Sequence, residues 1–273
     1  MFVQPRNRNM IEAAFATLAL IYHQTVHNLR QSHSNAVVGL AMSIMQSLAM
    51  VIGFVAMFYV LGVRRSPIRG DFMVFVMTGI FMFMTHTKSI AAMTGAANAT
   101  STMMRHEPMN TAVSISATAL AILYQQTLAS IVILWTYHAL IMPIRIEHIT
   151  GCYAMLLLAW ASGCAIGMIF MSAKQWWPSG IGVISSFYQR LNMIASGKMF
   201  VANVLPTMML NLFDWNPLFH VIDQMRGDVF INYTPHHSSE SYPIYFGLWI
   251  LMIGLMGEFM TRNSESISWS AGR

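Results

Sequence analysis

"AVVGLAMSIMQSLAMVIGFVAMFYVLG", residues 36–62, contains no Asp, Glu, Lys or Arg over 27 consecutive positions. A bilayer-crossing helix needs about 20 such residues, whereas a buried soluble helix is seldom that long and that uniformly apolar. Apolar runs with no more than two charges each recur at 72–92, 111–142, 149–172, 178–201 and 243–260. The whole chain is 56% hydrophobic and only 9% charged, against about 25% charged in ordinary soluble domains. The pattern predicts an all-α integral membrane protein with six transmembrane helices.

The remaining segments give this bundle its attachments. Residues 9–31, "NMIEAAFATLALIYHQTVHNLRQ", open with Asn9 and Glu12 in capping-box spacing. Ile11, Phe15, Leu18, Tyr22, Val26 and Leu29 then follow at steps of three and four. Glu12, His23, Gln24, His27 and Arg30 lie mostly off that stripe, which predicts an amphipathic helix along the membrane surface. No cleavable leader pattern is expected in the first thirty residues. Six spans place both termini on one side. Putting them in the cytoplasm assigns Arg6, Arg8, Arg30, Lys88, Arg105, Lys174, Arg262 and Arg273 to the inside, against Arg64, Arg65, Arg69 and Arg145 outside. The basic bias favours that orientation.

The net charge of +5 comes from scattered bases rather than a basic cluster, so anionic lipid headgroups are expected partners and nucleic acid is not. Cys152 and Cys164 share one span, where twelve residues of helix hold them about 18 Å apart. That is too far for a disulfide.

Two loops are long. "GAANATSTMMRHEPMN" at 95–110 has room for a short helix ended by Pro108, exposing Arg105, His106 and Glu107 on the inner side. Between the fifth and sixth spans, "NVLPTMMLNLF" is apolar yet too short to cross. It leads into "DWNPLFHVIDQMRGDVF", 214–230, where Asn216 is an N-cap, Pro217 occupies the first helical position and apolar residues recur at helical spacing. A short apolar piece followed by a capped, charged helix predicts a re-entrant hairpin on the outer face, at the mouth of a path. Non-spanning backbone at membrane depth requires cover from protein or a water-filled cavity. His220 and Asp223 are expected to form a local polar pair there.

Within the fifth span, Gly182, Ser185, Gln189, Asn192 and Ser196 form one polar stripe, with Arg190 beside it. Burying a charge near mid-membrane costs about 2.5–3.5 kcal/mol on insertion scales, so Arg190 is expected to face protein or water. The stripe fits a hydrophilic conduit or, alternatively, hydrogen bonding between helices. Ser43, Gln46, Ser47, Gln125 and Gln126 fit either reading. Trp135, Tyr137, Trp176 and Trp177 are expected in interfacial belts; Tyr59, Phe187 and Tyr188 could also stack on sugar rings. His23/His27 and the adjacent His236 and His237 raise a membrane metalloenzyme as the alternative from another class, but the two pairs fall on opposite sides. "SGKMF" at 196–200 lacks the first glycine and the Ser/Thr of a P-loop, so energy for transport would come from another chain.

These segments together resemble the membrane permease of bacterial ABC-type (ABC-2 type) capsular polysaccharide exporters. The resemblance rests on "RRSPIRGDFMVFVMTGIF" into the second span and on the inside loop before "NTAVSISATAL". It continues through "SGKMFVANVLP", "WNPLFHVIDQMRG" and "GLMGEFMTR". Lys198 departs from it, standing where an apolar residue is expected.

The resemblance implies a homodimer of six-span subunits served by a cytoplasmic ATP-binding cassette ATPase, which would hold ATP and Mg; this chain would bind no cofactor or metal and catalyse nothing itself. Its substrate would be a lipid-linked glycan moved across the bacterial inner membrane, with periplasmic and outer-membrane polysaccharide export proteins as further partners. O-antigen or teichoic acid is the alternative polymer. The implied organisation is an interfacial helix at 1–34, a permease domain at 35–261 and a cytoplasmic tail at 262–273. Met103, Arg105, His106 and Glu107 on the 95–110 loop would couple to the ATPase. Ser185, Gln189, Arg190, Asn192 and Ser196 would line the path. Trp215, Asn216, Pro217, His220, Asp223 and Arg226, within 203–231, would form the outer gate.

Overall fold

The computed structural model describes residues 10–31, 36–62, 67–96 and 111–271, with side chains described to residue 262. The described residues are helical, in the order α1 (Met10–Gln31), α2 (Ala36–Val60), α3 (Phe72–Thr94), α4 (Thr111–Leu140), α5 (Ile149–Lys174) and α6 (Pro178–Ala195). A 3₁₀ turn (Ala202–Val204), α7 (Thr207–Phe213), α8 (Pro217–Val229) and α9 (Ser241–Ala271) complete the chain. Five helices are long and apolar enough to cross a membrane: Val37–Val60, Phe72–Thr94, Thr111–Leu140, Ile149–Lys174 and Ser241–Arg262.

The fifth expected span differs. Helix α6 ends at Ala195, not 201, because Gly197 adopts φ +75° and turns the chain out of the helix. Ser185, Gln189, Arg190 and Asn192 dilute its apolar character, so α6 falls outside the group of five. Helix α9 instead overruns its expected end and continues through the tail to Ala271.

Helix α3 is the hub. It packs on α2, α4, α5, α6 and α8, and Phe75, Ile80, Met82, Ile90 and Met93 are buried. Its start is capped by Asp71, whose carboxylate accepts from the Met73 N–H at 2.9 Å and from the Tyr137 hydroxyl of α4 at 2.5 Å. Tyr137 is therefore a buried tie between helices, not a member of an interfacial belt; Trp135, Trp176 and Trp177 are exposed as a belt requires.

Small residues set the α3–α5–α9 seam. A Cβ on Gly163 would stand 2.5 Å from the His86 carbonyl oxygen, and one on Gly167 2.6 Å from Met93 Cβ. On α9, Gly254 and Gly257 allow the same approach to Met168 and Ser172 of α5. Close backbone approach is how membrane helices gain contact without a hydrophobic driving force. Polar side chains add to it: His86 Nδ1 lies 3.1 Å from Ser162 Oγ, and Ser43 Oγ of α2 accepts from Lys88 Nζ at 3.3 Å and from Gln126 Nε2 at 3.4 Å. Helix α1 docks on α4 through Asn28 and Thr118 and leaves Ile11, Phe15, Leu18 and Tyr22 exposed, as a surface-lying amphipathic helix should.

Candidate functional site

Helix α8 organises the region between α6 and α9. Its Asn216 cap accepts from the Leu218 N–H at 3.1 Å, as the sequence predicts. The same amide then donates to Asn192 Oδ1 at 2.8 Å and to the Ala195 carbonyl at 3.1 Å, so the N-cap also fastens α8 to the end of α6. At its other end, the Asp228 carbonyl accepts from the His148 N–H at the start of α5. Gly151 leaves room there for the Asp228 carboxylate: a Cβ would stand 2.4 Å from it. Burial and the nearby Glu240 raise that carboxyl above its ordinary range, with His148 opposing them.

Three turns of α8 carry buried polar side chains. The Arg226 guanidinium donates to the carbonyls of Gly197 (3.1 Å), Phe200 (2.5 Å) and Lys198 (2.8 Å), and lies 4.2 Å above the Phe75 ring. Those carbonyls belong to the turn after α6, so one planar cation supplies the donors that helix geometry would otherwise provide. Asp223 accepts from the Tyr233 and Ser238 hydroxyls. His220 Nδ1 accepts from the Ser239 N–H, so Nε2 carries the proton and donates to the Asp214 carbonyl at 2.7 Å. The expected His220–Asp223 pair is thus not formed. One turn of helix separates the two rings of contacts, and each side chain meets a loop partner: Asp214 for His220, residues 233–238 for Asp223.

Of the six residues expected at an outer gate, Asn216, Pro217, His220, Asp223 and Arg226 are buried and Trp215 is half exposed. The five buried ones bind the segment together from within, and only Trp215 of the six reaches the surface.

The stripe on α6 divides. Ser185, Asn192 and Ser196 are buried, and Gln189 donates to Ser185 Oγ at 3.3 Å. Arg190 is exposed on the outside of the chain, one step around the helix, rather than facing the protein. Val183, Ile184, Phe187 and Ile194 share the outward side. Beyond its first turn, helix α6 is therefore polar inward and, apart from Ser186 and Arg190, apolar outward. Ser47 and Gln126 are buried as well, whereas Gln46 is exposed.

Lys198 departs from the pattern of the permeases the chain resembles, and its surroundings explain how it is accommodated. Its Nζ is buried without a hydrogen-bond acceptor, 3.3 Å from the Phe83 ring centroid and 4.9 Å from that of Phe54. Aromatic faces attract cations, and the backbone here is pressed against α3, where a Cβ on Gly79 would lie 3.0 Å from Lys198 Cβ. Neither this aromatic box nor the triple engagement of Arg226 carries a local sequence signal. The coupling residues Met103, Arg105, His106 and Glu107 lie outside the described residues. Among the described residues, no group of three or more His, Cys, Asp or Glu could hold a metal ion.

No family model matches the chain. Two polysialic acid transport proteins, KpsM of Escherichia coli, are each 27% identical to it, over 195 and 193 residues that make up 68% of this chain and 71% of theirs. The resemblance to capsule-export permeases holds. It joins these long apolar helices to a transport protein for a polysaccharide.

Proposed function

We infer that this chain is the permease subunit of an ATP-driven exporter that moves a capsular, lipid-linked polysaccharide across the bacterial inner membrane. The observation that carries the reading is the similarity to polysialic acid transport proteins over two thirds of the chain. The named relative handles an acidic polymer, and an anionic glycan is the substrate class proposed here. Such a chain needs hydrogen-bonding groups along its route without tight binding, which the Ser185–Gln189–Asn192–Ser196 face of α6 supplies. The exposed Arg190 adds attraction for carboxylate or phosphate.

Six spans, with α6 as the fifth and both termini cytoplasmic, complete this reading. Residues 1–34 are the interfacial segment, 35–261 the permease and 262–273 the cytoplasmic tail. Two subunits pair, and a cytoplasmic ATPase holding ATP and Mg docks on the 95–110 loop through Met103, Arg105, His106 and Glu107. Periplasmic and outer-membrane export proteins receive the polymer. The segment 203–231 serves as a re-entrant outer gate. Contacts support that geometry, since α8 begins beside Asn192 and Ala195 of α6 and ends beside His148 at the head of α5. Opening the gate would require breaking the Asn216 and Arg226 ties.

Cells lacking the chain should accumulate polymer inside and lose it from the surface, and the wild-type chain should restore it. Cysteines at 105–107 should cross-link to the ATPase. Normal surface polymer in the deletion strain, or ATP turnover by the purified chain alone, would overturn the reading.

A further inference from the structure

Two concavities adjoin at the end of the bundle where α2 finishes and α3 begins. One, of about 280 Å³, is apolar, with Phe58, Phe72, Phe75, Phe200 and Leu205 in its walls. The other, of about 330 Å³, is lined by Arg69, Asn203, Asn232 and Tyr233. Pro67, Val201 and Val204 belong to both and form the partition between them. We propose that this double pocket binds one anionic phospholipid, an acyl chain lying in the apolar half and the phosphate in the polar half.

The polarity of the two halves selects the ligand. The apolar half offers a sugar chain no hydrogen bonds, so hydroxyls entering it would be left without partners. An alkyl chain loses nothing there and gains aromatic contact. In the polar half, most groups are already engaged. Tyr233 donates to Asp223, and Asn203 bridges the Thr234 carbonyl and the His236 N–H. Arg69 and Asn232 are exposed. The nearest acid to Arg69 along the chain is Asp71, whose two oxygens are taken by Met73 N–H and Tyr137. The Arg69 guanidinium is thus available to grip a phosphate through paired hydrogen bonds.

The level is also right. Phe72 opens α3 and Phe58 lies in the last turn of α2, so tail and headgroup regions of a bilayer meet where the two halves meet. On the topology proposed above, which this detail rests on, the leaflet is the outer one. Reversed topology would change the leaflet and leave the pocket's chemistry as it is. A lipid seated here would brace residues 199–205 against α2 and α3, beside the carbonyls that Arg226 holds.

The test uses the full-length protein in nanodiscs of phosphatidylethanolamine and phosphatidylglycerol, with trace phosphatidylglycerol carrying a mid-chain diazirine. After photolysis, adducts should concentrate on peptides containing Phe58, Phe72 and Phe200 relative to the exposed α9 face at Leu248, Met252 and Phe259. Arg69→Glu should reduce those adducts about tenfold, the equivalent of one lost charge-assisted contact, while a matching phosphatidylcholine probe, whose choline cation offsets part of its phosphate charge, loses less. Val204→Trp, at a side chain 75% exposed in the partition, should block both probes without disturbing the fold. Labelling no higher than on α9, or indifferent to both substitutions, would overturn the proposal. So would a disulfide between two copies formed through Val204→Cys, which would make this face a subunit contact.

Discussion

Arg226→Met keeps an apolar stem of similar length but removes all donors from the α8 cation. The Gly197, Lys198 and Phe200 carbonyls then lose their partner within the protein interior. A hydrogen bond to a charged group is worth about 1.5–3 kcal/mol. Three would sum to more than the real effect, because the variant also escapes the cost of burying a guanidinium. Leaving a buried acceptor without a donor costs about 1–3 kcal/mol, and with part of that offset by the relieved burial of the guanidinium a net loss of about 3 kcal/mol is expected here. Arg226→Lys should lose roughly half as much, since an ammonium can reach some of the carbonyls but cannot reproduce the planar fork. Unfolding in detergent should report the destabilisation, and hydrogen exchange should locate it. Residues 196–206 and the start of α8 should lose protection, while α3 and α5 keep theirs. An Arg226→Met protein that melts with the wild type and protects 196–206 equally would refute the argument.

Three further outcomes follow from individual contacts. Gly163→Ala should destabilise the bundle by about 1–3 kcal/mol, the usual cost of overpacking, because the new Cβ meets the His86 carbonyl at 2.5 Å; retained thermal stability would show that α3 and α5 separate freely. Burial and the nearby Glu240 hold the Asp228 carboxyl above its ordinary range, so the folded protein keeps that proton at pH values where the unfolded chain has lost it. Stability should fall as pH rises through that window, and Asp228→Asn should flatten this dependence in thermal melts while remaining at least as stable at neutral pH. Cysteines replacing Ser185 and Asn192 should resist a water-soluble thiol reagent at rest and react during ATP-driven turnover with the partner ATPase; protection in both conditions would reduce the α6 face to helix packing.

The sequence displayed what depends on near neighbours. Long apolar runs with at most one charge revealed α2, α3, α4, α5 and α9, and the Asn216–Pro217 pair marked the start of α8, because length, composition and capping are local properties. Steps of three and four likewise placed Ser185, Gln189 and Asn192 on one face. Partner choice was hidden. His220 lies within one turn of Asp223 in the sequence, yet its partners are Asp214 and Ser239, because loop geometry decided the match. Arg226 reaches carbonyls 26–29 positions away, and Lys198 meets rings on α2 and α3. Spacing within one helix contains no trace of such contacts. The end of α6 was missed because "SGKMF" remains apolar enough to extend a span, while the single backbone turn at Gly197 stops it.

The enclosure of α3 has a consequence for how the protein is made. This helix carries Thr85, His86, Thr87, Lys88 and Ser89 in succession, and its polar side chains are tolerated because neighbouring helices surround them. During synthesis α3 must enter the membrane before α4 and α5 have been translated, when only α1 and α2 are available. A lysine within an isolated segment is penalised unless it reaches the surface, and His86 has no Ser162 to meet. The second segment should therefore dwell at the insertion machinery, or hold to α2 through Ser43, until the glycine face of α5 arrives. Assembly is then ordered from the rim inward, and a chain truncated before α5 should be recognised by quality control at α3.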